Sequence, residues 1–200
     1  MVKSLHPRYS IIGKSIAFGA IGGFVAGLVM ALFIMITAIL AGMTPETMLI
    51  AMGLIFGAFS RDSAMMVGFG MHMITSVLIG VIFGAVTDLV KKLRIRGFGK
   101  GIIEGIIAGM IAFAVIFIPI SIAVMPPILM KMAMQMNPSM TQQQIMGMMQ
   151  QNMPMMIGMG VLEHLVYGAI LGAVTTVLIL KTGMRRRGQQ EQEQMKDEWK

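Results

Sequence analysis

The sequence GKSIAFGAIGGFVAGLVMALF, at residues 13–33, combines an almost unbroken apolar character with regularly spaced glycines. Gly19, Gly23 and Gly27 stand four residues apart. Because residues four apart lie on one face of a helix, these glycines leave that face without side chains. A second helix can then approach closely. The stretch predicts an apolar helix that packs tightly against a neighbour.

A related pattern returns 86 residues later, in GKGIIEGIIAGMIAFAVIFIP at residues 99–119. A second pair of segments is also related, because residues 80–90 and 168–178 share six of eleven residues at an offset of 88. The chain is therefore predicted to be a duplicated two-helix unit. A unit with two membrane spans repeats in the same orientation, about an axis along the membrane normal.

The composition predicts a membrane protein. Of 200 residues, 56% are hydrophobic and 12% are charged, and the mean hydropathy is +0.79, whereas soluble domains contain about 25% charged residues. Long apolar runs predict an all-α polytopic fold with four transmembrane helices. Their expected ranges are 13–42, 64–90, 102–125 and 156–180, with Pro126-Pro127 ending the third.

Short helices are expected in the two connections that follow the first and third spans. Thr44-Pro45-Glu46 predicts the start of one, over residues 45–59, with Thr as the N-cap and Pro at the first helical position. Asn137-Pro138 predicts the start of the other, inside a Met- and Gln-rich connection over residues 128–156. Pro119 should kink the third span or free a carbonyl group within it.

The basic residues predict the orientation of the chain. Fourteen of the 16 Lys and Arg residues lie in the N-terminal arm, residues 91–100 and the C-terminal region. By the positive-inside rule, both termini are cytoplasmic in a multi-pass protein of the cell membrane. We attribute the net charge of +7 to membrane orientation and to contact with anionic lipid. Nucleic-acid binding is not expected, since no nucleic-acid recognition motif accompanies the charge. The expected units are 1–98 and 99–183, the two repeats, and 184–200, a polar cytoplasmic tail.

Glycines at four-residue spacing occur in all four predicted spans. Beyond those of the first span, they are Gly80, Gly84, Gly101, Gly105, Gly109, Gly168 and Gly172. Such faces pack helices within one bundle, and they equally pack a chain into a homo-oligomer or a larger complex. The spacing does not choose between these uses.

Methionine is the most unusual residue, with 26 in the chain and 13 of them between Met125 and Met159. Thioethers are soft ligands that select Cu(I), so copper is the one cofactor that the composition suggests. The alternatives are a flexible apolar packing surface and a partner-binding surface, since methionine adapts well to both.

Two histidines lie within the predicted spans. His72 stands between Met71 and Met73, and His164 follows Glu163. Ionisable groups at this depth face the bundle interior or water, usually with partners. The three ionisable residues predict a cluster that binds copper or relays a proton, with methionine ligands nearby. The candidate ligands are Met71, Met73, Met153, Met155, Met156 and Met159. The alternative is a hydrogen-bonded pair that braces two helices.

The sequence carries no enzyme motif. It has no cysteine, which excludes thiolate nucleophiles and thiolate metal sites, and it has no GxSxG, HExxH or P-loop pattern. The prediction is a protein that is not an enzyme.

Three segments resemble a family of small archaeal and bacterial four-helix membrane proteins of uncharacterised function. They are Gly23–Met35, the run from Met71-His72-Met73 to Gly84, and His164–Gly168. The resemblance implies the fold and not an activity. The Met-rich, Cys-free composition is also similar in kind to accessory subunits of copper membrane monooxygenases such as ammonia monooxygenase.

Two functions follow as hypotheses. The first is an accessory or structural subunit of a larger membrane complex, whose outer Met-rich segment handles Cu(I) or contacts a partner. The alternative is a small self-associating transporter or channel that uses His72, His164 and Glu163. The expected partners are the lipid bilayer and other membrane subunits or copies of the chain itself.

Overall fold

Six helices account for most of the chain. A computed structural model describes the backbone of residues 6–198 and the side chains of residues 13–183, and within these ranges all regular secondary structure is helical. The α-helices are α1 (His6–Leu40), α2 (Thr47–Ile55), α3 (Arg61–Leu89), α4 (Phe98–Ala112), α5 (Met125–Met136) and α6 (Gln142–Glu198). A short 3₁₀ turn, Lys91–Leu93, precedes α4.

Four helical segments are long and apolar enough to cross a membrane. They are Gly13–Leu40, Arg61–Leu89, Phe98–Met136 and Gln142–Gly183. The prediction of an all-α fold with four helices able to span a membrane is confirmed. The lengths fit a hydrocarbon core of about 30 Å, which about 20 helical residues cross.

Helix α1 is the centre of the bundle, because it packs against both α3 and α6. Helix α6 packs in addition against α4, whereas α3 and α4 barely touch. Glycines allow close pairing of these helices: a Cβ atom on Gly19 would collide with the backbone of Gly80, and one on Gly105 with that of Gly168. The predicted close packing of glycine faces is therefore present in both helix pairs.

The same close approaches place the basic residues together. Gly84 lies against Ser15, and Gly101 against Thr176. Lys14, the turn at residues 91–100 and Lys181 therefore occupy one end of the bundle, which we call the basic end. Helix α2 and the turn at residues 137–141 occupy the opposite end.

The connection between the third and fourth spans is much shorter than the sequence suggests. Helix α5 contains Pro126 and Pro127 in its first turn, where their missing N–H groups leave no hydrogen bond unmade. The third span therefore continues past them to Met136, and only residues 137–141 separate it from α6. Instead of a short helix starting at Asn137-Pro138, α6 begins at Gln142 and runs without a break through the Met-rich residues.

Pro119 lies between two π-helical stretches, Phe113–Phe117 and Ile120–Val124. Proline has no N–H to donate to the preceding turn, and wider i→i+5 hydrogen bonding on both sides accommodates the defect. The third span is therefore one continuous helix, in which two π-helical segments join α4 to α5. A second internal proline, Pro154, lies inside α6.

The starts of α2 and α3 differ from their predicted positions for identifiable local reasons. Helix α2 begins at Thr47, three residues after the expected N-cap, because the Thr44 hydroxyl pairs with the Thr47 hydroxyl at 2.9 Å and caps no backbone N–H. Helix α3 begins at Arg61, before the expected Ala64. Ser60 accepts a hydrogen bond from the Ser63 backbone N–H, and Ser63 Oγ accepts one from the Ser60 N–H, which forms a capping box.

Candidate functional site

A cavity of about 220 Å³ lies in the half of the bundle away from the basic end. Its walls come from the second half of α1, helix α2, the first half of α3, the π-helical segments and α6. Helices α3 and α4 barely touch, and the cavity lies between the α1–α3 pair and the α4–α6 pair.

Nine methionines line this cavity. They are Met30, Met43, Met48, Met52, Met71, Met125, Met155, Met156 and Met159. They come from α1 and the residues after it, from α2, α3 and α6, and from the first residue of α5. The cavity thus combines a flexible, polarisable apolar wall with many thioether sulfurs.

Polar side chains occupy part of the same wall. They are Thr37, His72, Thr75, Ser76, Ser121, Glu163, His164 and Tyr167. The residues His72, Glu163 and His164 are buried, with 6%, 6% and 7% of their surface exposed. Burial of an ionisable group is costly unless it finds a partner, so their hydrogen bonds determine what each can do.

His72 is tied to α1 across the helix interface. Its Nε2 atom lies 3.0 Å from the carbonyl oxygen of Gly27. Since a carbonyl oxygen only accepts hydrogen bonds, Nε2 carries the proton and donates it. A Cβ atom on Gly27 would be 2.7 Å from the Ser76 side chain. Glycine at this position therefore allows α3 to come near enough for the His72 bond.

His164 is held from two sides. Its Nδ1 atom lies 2.7 Å from the carbonyl oxygen of Gly160, one turn earlier in α6, and donates to it. The rings of Phe113 and Phe117 meet the imidazole edge-on, with centroid distances of 5.4 and 5.3 Å. Gly160 makes room for this arrangement, because a Cβ atom there would lie 2.6 Å from the Phe117 ring.

Two further hydrogen bonds cross the cavity wall. The Thr37 hydroxyl donates to Glu163 Oε1 at 2.6 Å, which joins α1 to α6. The Tyr167 hydroxyl donates to the Ser76 carbonyl oxygen at 2.7 Å, which joins α6 to α3. The polar groups of the cavity thus also connect the helices around it.

The structure brings seven of the nine predicted metal-site residues to one cavity. They are His72, His164, Glu163, Met71, Met155, Met156 and Met159. Met73 and Met153 are not part of its lining, and Met73 packs towards Gly27 on α1. Among the residues that the structure describes, no three His, Cys, Asp or Glu side chains come close enough together to hold a metal ion.

Sequence reasoning missed several residues of the site. Tyr167 stands three residues after His164 and hence on the same face of α6, so its spacing was a usable signal. Thr37, Met48 and Met52 gave no such signal, because only the folded arrangement brings α1 and α2 against α6.

Among the side chains of residues 13–183, two ion pairs lie outside the cavity. Arg61, at the start of α3, pairs with Glu46 before α2. Hydrogen bonding to its own backbone N–H, and then to Arg61, lowers the pKa of the Glu46 carboxyl below its ordinary value. At the basic end, Lys100 pairs with Glu104 at 3.4 Å and donates to the carbonyl oxygens of Lys92 and Arg94.

No protein-family model, curated protein or solved structure matches this chain.

Proposed function

We propose that this protein is a non-enzymatic membrane subunit that binds Cu(I) among the methionines of its cavity and works within a larger membrane assembly. The observation that carries the proposal is the convergence of nine methionines on one cavity. Soft thioether ligands select Cu(I) over harder divalent ions.

The uneven burial of the four spans supports the assembly part of the proposal. In the most apolar window of the first span, 39% of residues are buried, against 17% in the third. Ile103, Ile107 and Ile111 form an exposed stripe on α4 at four-residue spacing. This surface faces lipid or a partner helix, and a partner is the occupant that the assembly hypothesis requires.

Copper binding is tested by competing the purified protein in mild detergent against a chromogenic Cu(I) chelator. The test variant replaces four cavity methionines by leucine, which is similar in volume: Met71, Met155, Met156 and Met159. The matched control replaces four exposed methionines outside the cavity lining: Met65, Met66, Met146 and Met148.

We expect the cavity variant to lose at least about tenfold in Cu(I) affinity while the control keeps it, because one lost ligand interaction of about 1.4 kcal/mol is a tenfold effect. Equal affinity in the two variants, or no Cu(I) uptake by the native protein, would contradict the proposal.

Assembly is tested by native mass spectrometry after gentle extraction from the original membrane. Stoichiometric partner subunits are expected, and a lone monomer would argue against them.

We also propose that the chain arose as two copies of a two-helix unit, with both termini cytoplasmic. The Gly19–Gly80 and Gly105–Gly168 contacts support duplication. Gly105 follows Gly19 by 86 residues, and Gly168 follows Gly80 by 88, so the two contacts occupy equivalent places in the two units. The gathering of Lys14, Lys181 and the 91–100 turn at one end supports the orientation. In this orientation the cavity lies in the outer half of the membrane.

A transporter or channel is the second candidate function. The observation that favours it is the slight contact between α3 and α4, which leaves the cavity between two helix pairs. In this case His72 and His164 would line the path of an ion. Flux through vesicles that contain the protein should then disappear in the His72→Ala and His164→Ala variants. Flux that persists in both variants would exclude a path through these histidines.

A further inference from the structure

We propose that His72 Nδ1 and His164 Nε2 are the nitrogen ligands of a mixed imidazole–thioether site for one Cu(I) ion in the cavity. This inference rests on the proposed function and specifies its ligands. It starts from the hydrogen bonds that fix the two imidazole tautomers, an observation separate from the number of methionines.

Each imidazole has one nitrogen committed to a backbone carbonyl oxygen. His72 donates from Nε2 to Gly27, and His164 donates from Nδ1 to Gly160. In a neutral imidazole the second nitrogen then has a lone pair and no proton. The lone pairs are those of His72 Nδ1 and His164 Nε2, on two residues that line the same cavity.

Within the side chains described, neither lone pair has a hydrogen-bond donor, and neither nitrogen is among the fully enclosed polar atoms that lack a partner. Both atoms therefore retain contact with open space, although each residue as a whole is buried. A ligand within the cavity can reach them.

The arrangement matches the way proteins prepare histidine for a metal. A metal-bound imidazole usually donates its other N–H to a carboxylate or a backbone carbonyl, which fixes the tautomer and the ring orientation. Gly27 and Gly160 supply these carbonyl groups. The Phe113 and Phe117 rings additionally hold the plane of His164.

The neighbouring donors favour a soft monovalent ion. A zinc site needs three or four His, Cys, Asp or Glu ligands, and no such group of three exists among the described residues. Glu163 Oε1 accepts a hydrogen bond from Thr37 at 2.6 Å. The soft donors in the lining are thioethers, including Met71 next to His72 and Met159 in the turn before Glu163. Imidazole and thioether together suit Cu(I).

The test uses variants that can keep the structural hydrogen bond and that lack the free nitrogen. In His72→Gln the side-chain amide can still donate from the position of Nε2, and in His164→Asn it can donate from the position of Nδ1. Thr182→Val, which alters a partly buried polar residue outside the cavity lining, is the control. Cu(I) affinity is measured by chelator competition, and the ligands are counted by X-ray absorption at the copper edge.

We expect each histidine variant to lose at least about tenfold in Cu(I) affinity, and the control to keep it. The native spectrum should contain two imidazole nitrogens and at least one sulfur, and each variant should lose one nitrogen. Thermal unfolding without copper should show a cooperative transition in each variant, since the hydrogen bond to Gly27 or Gly160 can be retained. A spectrum with sulfur alone, or unchanged affinity in both variants, would overturn the histidine assignment and leave the methionine cavity standing. If the native protein binds no Cu(I), both proposals fail.

Discussion

At the scale of single residues, the packing of the bundle depends on glycines. At these positions the backbone of a neighbouring helix occupies the space that a side chain would need. Gly105 is such a position, because its Cα faces the backbone of Gly168 and Gly172, which cannot move aside like a flexible side chain. We expect Gly105→Ala to push α4 away from α6 and to lower the free energy of unfolding by about 1–3 kcal/mol. Unfolding in detergent, followed by circular dichroism, measures the change.

Gly158→Ala is the matched control for this substitution. Gly158 also lies within a helix, but a Cβ atom there would meet nothing within 4 Å. Alanine is the better helix former, so stability should stay constant or rise by up to about 1 kcal/mol. If both variants lost stability equally, close backbone packing would not be the reason for Gly105.

The Glu46–Arg61 pair gives the connection before α3 a dependence on pH. The pKa of Glu46 is lowered in the folded protein. The ionised carboxylate therefore stabilises the fold fully at pH values above the pKa that Glu46 has in the unfolded chain. This stabilisation is lost as the pH falls through the lower, folded pKa. Stability measured from pH 6 down to about pH 3 should fall less in Glu46→Gln than in the native protein. The effect should be small, because the pair is exposed to solvent. An unchanged acid-side slope would contradict this assignment.

At the scale of helices, Ser60 shows how a local signal sets the start of a span. Its capping box satisfies backbone N–H groups at the start of α3 that have no partner within the helix. We expect Ser60→Ala to reduce stability by about 1 kcal/mol. Ser139→Ala, in the exposed turn between α5 and α6, should change it little. An equal loss in the two variants would mean that the capping box does not stabilise the protein.

The helices themselves were largely predictable from the sequence, whereas several of their ends were not. Long apolar runs with glycines at every fourth residue specify four spans directly. Proline is ambiguous: Pro126 and Pro127 fit the end of one helix as well as the first turn of the next. The π turns around Pro119 were also beyond prediction, because their geometry depends on how the whole segment is accommodated.

At the scale of the whole molecule, the site depends on the order in which the spans pack. The sequence identified His72, Glu163 and His164 because ionisable groups are conspicuous within apolar runs. It could not show that α1 would lie between α3 and α6, which brings Thr37 to Glu163 and Gly27 to His72. The methionines of α2 join the cavity for the same reason, since nothing in their local sequence indicates which span they will face.

The distribution of Lys and Arg also predicts the orientation of the molecule in the membrane. Because the sequence has no native cysteine, this orientation can be measured with single introduced cysteines. A single cysteine can be placed at Ser139, in the turn between the third and fourth spans, or at Leu93, beside the basic residues. Neither substitution changes the charge that sets the topology. Because positive loops remain cytoplasmic, a membrane-impermeant maleimide should label Ser139→Cys in intact cells. It should label Leu93→Cys only after the membrane is opened. The reverse pattern would place the methionine cavity on the cytoplasmic side, where any Cu(I) it held would have to come from inside the cell.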